Sequence, residues 1–134
     1  MSAQQVILDA NVILRFLLAD HATLSPRAQA LFRRAAVGEL ELLVPGVIAA
    51  ECVYTLKSFY KMERAGVATA FLQILTLPGV EALDGAVMKE ALNLYAARNV
   101  DFADAYLAAL GQDTGLKIGS FDRDLLKLGA ELLE

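Results

Sequence analysis

Val6-Ile7-Leu8-Asp9-Ala10-Asn11 decides the reading of this 134-residue chain. The three apolar residues form a short, fully buried strand, which stops at the acid Asp9. Apolar residues then recur at helical spacing, with Val12, Ile13, Phe16 and Leu17 on one face of a helix over Asn11 to Leu18. The strand therefore delivers an acid to the start of a helix.

The same alternation continues outward from this stretch. Ser25-Pro26 opens a second helix, with Ser25 as N-cap and Pro26 at the first helical position, and Gly38 closes it. Leu42 to Val44 reads as a strand. Pro45 starts a helix with Ile48, Cys52, Leu56, Phe59 and Tyr60 on its apolar face, and a further helix runs from Glu63 to Leu75. Val80 to Leu83 gives a third strand, followed by helices over Gly85 to Ala97 and over Phe102 to Leu110, the latter closed by Gly111. Leu116 to Ile118 reads as a short strand, Asp122 to Leu128 as a final short helix, and Gly129 to Leu133 as an edge strand. Strands alternating with helices require a sheet covered on both faces. The expectation is α/β: one domain over 1–134, a three-layer α/β/α sandwich with a short, mainly parallel central sheet.

Composition narrows the chemistry. Hydrophobic residues make up 57% of the chain, yet no apolar run reaches the ~20 residues that span a bilayer. The amino terminus lacks a basic region and is not expected to act as a secretion signal. Cys52 and His21 are the only residues of their types, so an intrachain disulfide is excluded, and a classical zinc site or a Ser-His-Asp triad is not expected. A reducing cytoplasm is the economical location. His21 reads as a solvated loop residue. The net charge of −4 argues against a broad, nonspecific nucleic-acid binder, although seven of the 12 basic residues fall in the first half.

In α/β sheets ligands gather at the carboxyl ends of the strands, where the acids fall. Asp9 ends the first strand and is equally suited to N-cap the next helix. Glu51 is the only charged residue between Leu42 and Leu56 and borders an apolar helix face. A carboxylate so placed is costly unless paired or metal-bound. Asp101 and Asp104 stand one turn apart on one face, with Asp101 suited to cap the helix and Asp104 to act as ligand. Asp122 follows the strand at Leu116 to Ile118, with Ser120 placed to cap or to orient a carboxylate. Oxygen donors without His or Cys select Mg²⁺ or Mn²⁺, and crowded carboxylates call for a cation. Arg15, Arg98 and Arg123 lie near these acids in sequence and could contact phosphate, or be ordinary surface charge.

Four pieces, in order along nearly the whole chain, resemble the PIN domain and in particular the VapC-like toxin ribonucleases. They are Val6 to Asn11, Ala50-Glu51, Asp104-Ala105-Tyr106-Leu107-Ala108-Ala109 and Ser120-Phe121-Asp122-Arg123-Asp124. The resemblance implies a metal-dependent endoribonuclease, with ligand roles on Asp9, Glu51, Asp104 and Asp122. It implies supporting roles on Asn11 and Ser120, and a less fixed one on Asp101. It also implies an RNA substrate, a homodimer and an antitoxin partner, and the helices from Pro45 to Leu75 offer a surface for either protein contact if they are not wholly core. A metal-supplied nucleophile requires no histidine base, which agrees with a chain holding His21 alone. A receiver or phosphatase-like acidic Mg²⁺ domain fits less well, because Ala10 and Asn11 stand where such domains need a second acid. A non-catalytic interaction module, with the acids as caps and ion pairs, is the alternative of a different class.

Overall fold

The computed structural model describes residues 3–133, so the outermost ends of the expected 1–134 span lie outside the described residues. A three-stranded parallel sheet in the order β1-β2-β3 is built from β1 (Gln4–Ile7), β2 (Leu40–Val44) and β3 (Val80–Ala82). Helices α1 (Ala10–Leu18) and α2 (Leu24–Ala36) join β1 to β2, and α3 (Gly46–Ser58) and α4 (Arg64–Leu75) join β2 to β3. Then come α5 (Gly85–Ala97), α6 (Phe102–Thr114) and a 3₁₀ segment, Arg123–Leu128. In the central strand Leu40, Leu42 and Val44 are buried while Glu41 and Leu43 are half-buried, so both faces are covered. This is the expected α/β/α sandwich.

The core explains the high apolar content. Ile13, Leu42, Val44, Cys52, Leu56, Phe71, Met88 and Leu92 are buried together between sheet and helices. Phe16 and Phe32 stack at 3.9 Å to hold α1 against α2. Pro45 to Leu75 is both core and surface. Cys52, Val53, Leu56, Val67, Phe71 and Ile74 are buried, whereas Val47, Tyr54 and Phe59 are exposed. Phe59 thus leaves the apolar face expected for it, because α3 ends at Ser58.

Four local expectations are corrected. Helix α2 begins at Leu24, so Ser25 is not its N-cap. The ring of His21 caps the helix instead, with Nδ1 accepting from the amides of Leu24 at 3.0 Å and Thr23 at 3.3 Å. Buried Ser25 accepts from the His21 amide and donates to the Arg15 carbonyl at 2.8 Å, tying the end of α1 to the start of α2. His21 is therefore a structural cap rather than a merely solvated loop residue.

Helix α6 runs through Gly111 to Thr114 and ends on Gly115, which is left-handed with φ +73°. A β-carbon on Gly111 would stand 3.2 Å from both the Leu116 carbonyl and the Ile118 side chain, so this glycine admits the returning chain instead of stopping the helix. That returning chain is the third correction. Leu116 to Ile118 and Gly129 to Leu133 add no strands to the sheet and meet in one parallel bridge, Ile118 with Leu132. Ala130 and Leu132 are buried, and Ile118 packs with them on a second cluster with Ala108, Leu125 and Leu128, while Leu116 and Leu133 stay exposed. β1 is a sheet edge with Gln4, Gln5 and Ile7 exposed, so the fully buried strand expected at Val6 to Leu8 is corrected as well.

Candidate active site

Asp9 leaves β1 in extended conformation and caps α1, its Oδ1 accepting from the Ala10 amide at 2.8 Å. The carboxylate is exposed, and the cap occupies one of its oxygens. Glu51 lies in the second turn of α3 and is also exposed, so the desolvation argued for it from sequence is not what places it. Between them lies Cys52. Its Sγ donates to the Ala10 carbonyl at 3.8 Å, and burial, then the charges of Glu51 and Asp9, push the thiol up to about 12. The Cys52 thiol is thus an inert core group that reports both acids close by.

The second group of acids gathers at α6. Asp101 takes the N-cap position with no side-chain cap bond, and Asp104 sits half-buried in the first turn. Burial raises the Asp104 carboxyl above the usual carboxylate range, and the negative charges of Asp122, Asp101 and Asp124 raise it further. Asp122 caps the 3₁₀ segment, its Oδ1 accepting from the Asp124 amide at 2.9 Å, while its own amide donates to Ser120 Oγ at 3.0 Å. Ser120 therefore shapes the loop that presents Asp122. Asp124 is exposed and paired with Lys127 at 3.5 Å, yet its charge still reaches Asp104.

Helices α3 and α6 pass each other in opposite senses. Gly46 meets the ring of Tyr106, while Val53, Tyr54 and Lys57 share a groove with Asp101, Phe102 and Ala103. Asp104 lies in sequence between these two points of contact on α6. The fold thus shows the acids in two groups, Asp9 with Glu51 around Cys52, and Asp101, Asp122 and Asp124 around Asp104. Among the described residues no three His, Cys, Asp or Glu side chains close around a point as a finished ion cage would. In kind the donors fit a hard cation: they are all carboxylates, and the crowding that raises Asp104 is the repulsion a cation relieves.

Two residues near the acids are engaged with each other. Asn11 Oδ1 accepts from Arg15 Nε at 3.3 Å, and Arg15 reaches Asp20 at 3.4 Å, so Asn11 supports this arginine. Arg98, at the end of α5, and Arg123, beside Asp122, are both exposed. Sequence reasoning missed Gly46, Tyr106 and Arg64. Tyr106 lies inside one of the four motifs, but nothing local announces its approach to a glycine sixty positions earlier.

A sequence profile described as PIN domain matches residues 6–131. The chain is also 32% identical to a VapC ribonuclease of Aquifex aeolicus (strain VF5) over 126 residues, which cover 92% of this chain and 91% of that one. Both agree with the resemblance carried by the four motifs. No helix among the described residues is long and apolar enough to cross a membrane.

Proposed function

Because the chain belongs to the PIN-domain family, we propose that it is a Mg²⁺- or Mn²⁺-dependent endoribonuclease, the toxin of a toxin–antitoxin pair. The observation that carries this reading is the continuity of the family match from Val6 to Glu131, which takes in all four acids. Asp9, Glu51, Asp104 and Asp122 would hold the cation. When bound, a divalent cation polarises the scissile phosphate and makes water nucleophilic at neutral pH.

The chain's own residues act by position and charge. The Ala10 amide orients Asp9, and Ser120 orients the backbone that carries Asp122. Asp101 adds negative charge at the outer edge of the site without a capping bond of its own. Arg123 and Arg98 are free to meet phosphate at the rim, and Arg15 does so only by loosening its contacts to Asn11 and Asp20. The exposed side chains of Val47, Tyr54 and Phe59 suit a homodimer or an antitoxin segment. A lone buried cysteine suits the cytoplasm.

The decisive experiment is cleavage of defined RNA by the purified chain. Cutting should require Mg²⁺ or Mn²⁺, stop with EDTA, leave 5′-phosphate ends and disappear in Asp9→Asn and Asp104→Asn. Cutting that survives chelation or either substitution would overturn the reading. One observation favours a second reading, a non-catalytic interaction module: Asp9 and Asp122 both serve as helix caps. A Mn²⁺ titration separates the two, since a set of caps leaves the ion unbound.

A further inference from the structure

Arg64 opens α4, where a cation meets the positive end of the helix dipole and weakens the helix. Its guanidinium is committed elsewhere. Nη1 donates to the carbonyls of Tyr95 at 3.1 Å and Val100 at 2.6 Å, Nη2 donates to Asn99 Oδ1 at 3.3 Å, and the group lies 4.2 Å over the Tyr95 ring. These partners are the end of α5 and the turn that leads into α6. Val100 is followed at once by Asp101 and, one turn later, by Asp104. The planar fork reaches the two carbonyls through one nitrogen and Asn99 through the other while its face lies on Tyr95, a combination that a lysine's single ammonium reproduces only in part.

We propose that Arg64 is a positioning residue of the nuclease site: by stapling the α5–α6 turn it fixes where α6 begins, and so where Asp101 and Asp104 present their carboxylates. The proposal rests on the nuclease reading. Supporting partners of metal ligands typically carry about 10- to 100-fold in affinity or activity.

The experiment compares wild type, Arg64→Met, Arg64→Lys, Asp104→Asn and Ile74→Ala. Ile74 is buried at the other end of α4, so Ile74→Ala lowers stability without touching the turn. In metal-free Arg64→Met, amide exchange over residues 99–105 should accelerate. Its Mn²⁺ affinity should fall roughly 10-fold or more, with kcat falling further than KM for RNA rises, and Arg64→Lys should recover only part of the loss. Wild-type Mn²⁺ affinity in Arg64→Met overturns the proposal. So does an equal loss in Ile74→Ala at matched melting temperature. If wild type binds no Mn²⁺, or Asp104→Asn keeps it, the nuclease reading falls and takes this proposal with it. If those two behave as expected and Arg64→Met matches wild type, only the positioning role falls.

Discussion

The hydroxyl of Tyr106 stands 2.7 Å from the point a β-carbon on Gly46 would occupy, with two ring carbons at 3.0 and 3.1 Å. This contact seats α6 on the start of α3, two residues from Asp104. An added methyl must displace the ring, not only its tip. Overpacking of this kind costs about 1–3 kcal/mol, which outweighs the ~0.5–1 kcal/mol usually gained on replacing a helical glycine by alanine. Gly46→Ala should therefore lower the midpoint of denaturant unfolding and reduce RNA cleavage. Adding Tyr106→Phe removes the nearest atom and should restore part of the stability. A double-mutant cycle with no coupling between the two positions would count against this packing.

Asp9 is a helix cap and, on the proposed function, also a metal ligand, two roles that a pair of substitutions can separate. Asn caps helices about as well as Asp, whereas Ala in place of an N-cap costs about 0.5–2 kcal/mol. Asp9→Asn should therefore keep the unfolding midpoint close to wild type while losing cleavage and Mn²⁺ binding. Asp9→Ala should lose both activity and stability. Equal activity in wild type and Asp9→Asn would leave Asp9 a cap alone.

Much of this arrangement was legible in the sequence because it follows from local pattern. The helices over 63–75 and 85–97 follow from apolar spacing, and the acids after strands follow from the sheet rule, so the sandwich and the first three strands emerge from short windows. What stayed hidden depends on contacts remote in the chain. Ser25 looks like a cap until His21 supplies the acceptor and the Arg15 carbonyl claims the hydroxyl. Leu116 to Ile118 looks like a strand because three residues of periodicity cannot tell a sheet strand from an isolated bridge to Leu132. Glu51 looked desolvated because its sequence neighbours are apolar, while its own side chain points to water.

The His21 cap gives a prediction that should leave catalysis untouched. His21 and Ser25 lie at the α1–α2 junction and carry no proposed role in RNA cleavage. His21→Ala removes the acceptor for two amides and should cost about 1 kcal/mol, within the range for lost caps. His21→Asn keeps a short-range acceptor and should recover part of that loss. Both variants should cleave RNA at the wild-type rate at a temperature where they remain folded. A large activity loss in folded His21→Ala would show that the junction bears on the site.

On the proposed function, Asp104 couples stability to metal. Burial and three neighbouring carboxylates make its ionised form unfavourable, so the free protein carries unrelieved repulsion there. Asp104→Asn removes one charge from that cluster and should leave the metal-free protein at least as stable as wild type at neutral pH. A ligand that binds only the folded state stabilises it by RT ln(1 + [L]/Kd), about 2.7 kcal/mol at one hundred times Kd. Saturating Mn²⁺ should accordingly raise the melting temperature of wild type by several degrees. EDTA should reverse the shift, and Asp104→Asn should show little of it. A Mn²⁺ shift of equal size in Asp104→Asn would place the ion elsewhere on the chain and detach Asp104 from the site.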